Sequence, residues 1–120
     1  MERILVVEDN PNERLLLEEE LRREGYDVVV AANGREAVDC ARERQPHLVI
    51  MDIEMPEMDG VEALARILTL DNRVPSILYT GYTSYKESFR TWAADSYVVK
   101  SSDLAPLKQE IRNLLSRSSS

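Results

Sequence analysis

The chain has 120 residues, a formal net charge of −7 and one cysteine, with 43% hydrophobic and 31% charged residues. Those values suit one compact soluble domain that buries about two-thirds of its unfolded surface, and they exclude a disordered chain, an internal disulfide or a cysteine-built zinc cage at Cys40. The acidic balance disfavours direct nucleic-acid binding, which needs clustered Lys and Arg, and disfavours an anionic membrane surface.

The first apolar run, Ile4 to Val7, is too short for a signal peptide or a membrane span, so a cytoplasmic location is expected. It reads as a strand and ends in Glu8-Asp9. Pro11 suits the first turn of a helix, and Leu15, Leu16, Leu17 and Leu21 are expected to form its apolar stripe, closed by Gly25. Val28 to Ala31 is a β-branched run followed by an expected Asn33-Gly34 turn. A second helix carries Ala37, Val38, Cys40 and Ala41 on one face and is stopped by Pro46. Leu48 to Met51 is the third strand. The third helix follows Gly60, with Val61, Leu64, Ala65, Ile67 and Leu68 inward. Ser76 to Thr80 gives a fourth strand, and Tyr85, Phe89 and Trp92 show helical spacing after it. Tyr97 to Val99 is the fifth strand. Leu104, Leu107, Ile111, Leu114 and Leu115 mark the last helix. A domain over residues 1–116 is expected, with 117–120 as a flexible tail or the start of a linker.

Strand and helix alternate five times, which predicts an α/β fold with a five-stranded parallel sheet, doubly wound as (βα)5 and flavodoxin-like. Near-continuous apolar strands fit burial on both faces. Sheets of this kind place ligands outside the carboxyl ends of their strands. The polar groups gather at that rim: Glu8 and Asp9 after the first strand, Asp52 after the third, Thr80 ending the fourth and Lys100 after the fifth.

Three carboxylates held together repel one another, and a hard divalent cation relieves the repulsion. Mg2+ bound by Asp9 and Asp52, with Glu8 through water, is the economical reading, because no nitrogen or sulfur ligand is at hand and His47 falls at the opposite end of its strand. A metal with Lys100 and Thr80 would favour an oxygen-rich anion such as phosphoryl, and Asp52 could then act as nucleophile to give an aspartyl phosphate.

The motifs VVEDN at 6–10, MDIEMPEMDG at 51–60, YTG at 79–81 and DSYVVK at 95–100 stand in order, each at a strand end. Together the chain resembles, over residues 2–116, the receiver domain of response regulators of two-component signalling, with the fold of the chemotaxis regulators. The resemblance implies that Asp52 is phosphorylated by a histidine kinase or phosphotransfer protein. It implies that Glu8, Asp9, Asp52 and the main-chain carbonyl of Glu54 hold Mg2+, with Asp9 a direct ligand. Thr80 and Lys100 would meet the phosphoryl group, Tyr97 would be the switch aromatic, and Gly81 would keep the nucleophile accessible. The surface that changes would be the helix after Gly81, the last strand and the last helix. It would reach a downstream effector domain or protein and leave room for a homodimer. Such a domain catalyses only its own phosphorylation and dephosphorylation. Six of the seven aromatics fall between residues 79 and 97, a composition favoured at interfaces.

The chain departs from the family pattern in places. Ser101 stands where a proline usually follows the lysine, and a cis bond there would cost about 3 kcal/mol without proline. Phe89 and Trp92 replace small residues, and Glu54 and Tyr82 occupy positions that tune the lifetime of the phosphoryl group. Three other readings compete. A small Mg2+-dependent phosphatase would typically carry a second Asp two residues after the nucleophile, where Glu54 stands. A flavodoxin-type binding module would need a phosphate-cradling loop in place of EDNPNE. A degenerate receiver acting as an interaction module would not need all five rim residues.

Overall fold

The computed structural model describes residues 1–52, 60–71, 73–81 and 94–118. Five strands form one parallel sheet: β1 (Arg3–Val7), β2 (Asp27–Ala31), β3 (Leu48–Met51), β4 (Ser76–Thr80) and β5 (Ser96–Val99). Their order is β2-β1-β3-β4-β5, so the chain reverses direction across the sheet after β2. Among the described residues there are four helices: α1 (Pro11–Arg23), α2 (Gly34–Arg44), α3 (Gly60–Leu70) and α4 (Ala105–Ser118). The expected helix of Tyr85, Phe89 and Trp92, together with Tyr82 and Glu54, lies outside the described residues.

The central strands are largely apolar because both of their faces are covered. Successive side chains point to opposite faces. Leu5, Val7, Val49, Met51 and Leu78 pack with Ala37, Ala41, Leu64 and Ile67 from α2 and α3. Ile4, Val6, Leu48, Ile50 and Ile77 pack with Leu17 and Leu21 of α1 and Leu107, Ile111, Leu114 and Leu115 of α4. α1 and α4 therefore cover one face, and α2 and α3 the other.

Three local expectations are corrected. Leu15 and Leu16 are 53% and 50% exposed, because a helix turning 100° per residue cannot aim them the same way as Leu17 and Leu21. Ala63, not Ala65, is buried on α3. The expected Asn33-Gly34 turn is a helix start: Asn33 is the N-cap of α2, its side chain accepting the Glu36 N–H, and Gly34 is the first helical residue. α1 begins in the same way on Asn10, with Pro11 at its first position. Gly25, after α1, adopts φ +96, a left-handed conformation that glycine takes without steric cost. The peptide between Lys100 and Ser101 is trans, as are all others described.

Candidate functional site

The register of the sheet delivers the predicted rim residues to one place. β1 and β3 run side by side with Val7 opposite Met51, so Glu8 and Asp52 leave the sheet together. Two backbone bonds extend the pairing past the strand ends: Asp52 N–H donates to Val7 O at 3.1 Å, and Glu8 N–H donates to Ala31 O at 3.1 Å. On the far side, Lys100 N–H donates to Thr80 O at 2.7 Å and holds the end of β5 against β4.

Lys100 joins these edges. Its Nζ donates to Glu8 Oε2 at 2.7 Å, to Asp52 Oδ2 at 3.1 Å and to Glu13 Oε2 at 3.0 Å. It also lies 5.8 Å from the centroid of the Tyr79 ring, within range of a cation–π attraction. Glu8 and Asp52 are buried and Asp9 is exposed. One carboxylate oxygen from each of Glu8, Asp9 and Asp52 falls within 4.8 Å of the others, a spacing that can hold a cation.

Burial dominates the electrostatics of Glu8. It pushes the carboxyl up to about 7, against the lowering effect of the Lys100 hydrogen bond and the Asn10 N–H. For Lys100 burial disfavours the ammonium, but the hydrogen bonds it donates to Glu8 and Glu13 and the charge of Asp52 outweigh it and hold the group above its ordinary value. Glu8 binds more protons in the folded chain than in the unfolded one between its ordinary 4.5 and about 7, so its contribution to stability falls as pH rises through that window. Glu8→Gln is therefore expected to raise the melting temperature in chelator at pH values above the window, by roughly 2–6 °C, and to give little gain below it. A lowered melting temperature above the window would mean that the bond to Lys100 outweighs burial.

Thr80 is fully buried at the end of β4. Tyr97 pairs in register with Leu78, is partly buried against the α2–α3 side of the core, and has its hydroxyl pKa raised by that burial. Strand alternation puts Thr80 on the same face as Leu78, hence on the same face as Tyr97. Gly81 is exposed, and a methyl built on it meets no described atom within 4 Å. Glu54 lies outside the described residues. An open groove of about 850 Å3 between the ends of α2 and α3, lined by Arg42, His47 and Arg73 among others, contains none of the predicted site residues.

Two participants are absent from the sequence expectation. Glu13 has the spacing of an ordinary helix-capping glutamate after Asn10, which hides its contact with Lys100. The sequence marks Tyr79 only as one of the clustered aromatics and as part of YTG, and the pairing of β4 with β5 brings it beside the ammonium. Arg14 Nη1 also donates to the Glu8 carbonyl at 3.0 Å, which ties α1 to the acidic turn.

The family model for the response regulator receiver domain matches residues 4–112. Among solved structures, the response regulator TrrA of Thermotoga maritima, in complex with Mg2+-BeF, is 45% identical with a TM-score of 0.90, over 95% of this chain and 99% of its own. TrrA is also solved in complex with the histidine kinase ThkA, with a TM-score of 0.88 to this chain over 96% of it and 99% of TrrA. A CheY-like receiver domain protein of Methanospirillum hungatei is 29% identical with a TM-score of 0.93, over 99% of this chain and 97% of its own. The regulatory protein AtoC of Escherichia coli is 38% identical over 94% of this chain and only 25% of its own length. The chain spans a quarter to about two-thirds of the first curated relatives it matches. No helix among the described residues is long and apolar enough to cross a membrane. With the parallel sheet, the acidic cluster at its carboxyl rim and a match over nearly the whole length, this chain belongs to the response regulator receiver domain family.

Proposed function

We propose that this receiver domain takes a phosphoryl group onto Asp52 from a histidine kinase or a phosphotransfer protein. The observation that carries the reading is Lys100 Nζ bonded to both Asp52 and Glu8 within a carboxylate cluster at the sheet rim. TrrA, which binds Mg2+-BeF and a histidine kinase, supports it by similarity.

The donor set fits Mg2+. Its groups are hard oxygens, and His47 lies at the opposite edge with its Nδ1 occupied by the Arg3 N–H. Glu8, Asp9, Asp52 and the carbonyl of Glu54 would hold the ion, and when bound it offsets the charge of donor and acceptor. Asp52 Oδ attacks phosphorus as the bond to the donor's leaving group breaks. Lys100 shifts its hydrogen bonds from carboxylates to a phosphoryl oxygen, and the Thr80 hydroxyl donates to another. Gly81 leaves the approach to Asp52 free of a side chain. Movement of Thr80 vacates space on the face it shares with Tyr97, and the tyrosine ring turns into it, biasing the surface of β5, α4 and the segment after Gly81.

That surface would engage an effector domain or protein. The domain turns over no substrate other than its own phosphoryl group, works in the cytoplasm, and binds neither nucleic acid nor membrane directly. The domain would take in residues 1–116, and α4 carries its last helix on to Ser118. Incubation with phosphoramidate is expected to add the mass of one phosphoryl group in Mg2+ and none in excess chelator, read by intact mass. Folded protein that gains no mass in Mg2+ would sink the reading.

A further inference from the structure

We propose that Glu13 is a positioning residue at the mouth of this site, where it screens Lys100 and disfavours small dianionic phosphoryl donors relative to less charged ones. The inference rests on Asp52 being the acceptor. It comes from two glutamates that hold the same helical position and do different things. In α2, Asn33 is the N-cap and Glu36 the third helical residue. Glu36 N–H donates to Asn33 Oδ1 at 2.9 Å, while the Glu36 carboxylate accepts from Ala32 N–H at 3.2 Å and from Asn33 Nδ2 at 3.1 Å. Glu36 thus folds back to secure its own helix start, through the Ala32 N–H and the Asn33 side chain rather than the N-cap N–H of a strict capping box.

α1 opens on the same spacing. Asn10 Oδ1 accepts from the N–H groups of Asn12 and Glu13 at 2.9 and 3.1 Å. The reciprocal half is rewired. Asn10 N–H donates to Glu8 Oε1 at 3.1 Å, the place a capping glutamate would take, and Glu13 Oε2 accepts from Lys100 Nζ at 3.0 Å. The helix start has thus given its glutamate to the site.

Among the three carboxylates that hold Lys100, Glu8 and Asp52 are buried and Glu13 is half-exposed. Glu13 is the partner that an incoming donor meets first. Its charge makes the field at the mouth negative, and low-dielectric walls strengthen that field. In the transfer, an Asp52 oxygen forms a bond to phosphorus while phosphorus loses its leaving group. Acetyl phosphate, a dianion, releases acetate with the bonding pair. Phosphoramidate, a zwitterion of single net charge whose nitrogen already carries its protons, releases ammonia. Lys100 then exchanges Glu13 for a phosphoryl oxygen. The repulsion from Glu13 scales with net charge and is about twice as large for the dianion.

The test is the rate of phosphoryl uptake by the full chain near neutral pH in saturating Mg2+, read by intact mass for wild type, Glu13→Gln, Glu36→Gln and Asp52→Asn. Glu13→Gln is expected to speed acetyl phosphate about five- to tenfold and phosphoramidate about two- to threefold, with no loss of melting temperature. Glu36→Gln, which keeps an acceptor for the Ala32 N–H, is expected to leave both rates alone. An unchanged ratio of the two rates in folded Glu13→Gln overturns the proposal and leaves Asp52 as acceptor. Absence of uptake in wild type, or equal uptake in Asp52→Asn, overturns both.

Discussion

Asp52→Asn is expected to abolish phosphoryl uptake while the protein stays folded. The amide has the shape of the carboxylate, and its oxygen can still accept from Lys100 Nζ, which retains Glu8 and Glu13 as partners. The nucleophilic oxygen is lost, because the amide oxygen is neutral and its electrons are delocalised onto nitrogen. Removing one of the clustered charges also lowers their mutual repulsion, so the melting temperature in chelator should hold or rise. Mg2+ affinity should fall, since one of three clustered carboxylates is gone. Intact mass after phosphoramidate treatment and calorimetric Mg2+ titration check the two halves separately. Uptake by the Asn variant at the wild-type rate would place the acceptor elsewhere.

Lys100→Met keeps an unbranched apolar stem of similar size and removes the ammonium. Transfer is expected to slow by about 10²–10³-fold, the usual cost of one preorganised donor at developing charge. Stability in chelator should also drop, on the order of 3 kcal/mol, because Glu8 and Asp52 are buried and lose their shared cation. Added Mg2+ should restore much of that loss without restoring the rate. Single-turnover uptake and urea unfolding with and without Mg2+ are the measurements. A rate within about threefold of wild type would remove Lys100 from the transfer chemistry.

Much of this protein is legible in its sequence because strand ends are local signals. An apolar run that stops on a carboxylate, repeated at Val7-Glu8 and Met51-Asp52, states both the strand and its destination at the sheet rim. The alternation of such runs with helical spacing determines a parallel, doubly wound sheet, since the connections allow little else. The chemistry of the donors, oxygen without nitrogen or sulfur, is likewise a matter of composition.

The tertiary structure decided what depends on direction and on distant pairing. Leu15, Leu16, Leu17 and Leu21 all read as core, but only the docking of α1 on β1 and β2 turns Leu17 and Leu21 inward. Asn33-Gly34 reads as a turn, and the extended backbone of Asn33 with its side chain on the Glu36 N–H makes it a helix cap. Glu13 and Glu36 are indistinguishable by spacing. Their roles part because Glu8, delivered by β1, takes the Asn10 N–H, and because Lys100, 87 residues away, arrives beside Glu13 only when β5 closes the sheet. Local periodicity determines elements and the ends of strands. Which carboxylate faces which cation is set by register and sheet order, and those are energies of contact between segments that the sequence keeps apart.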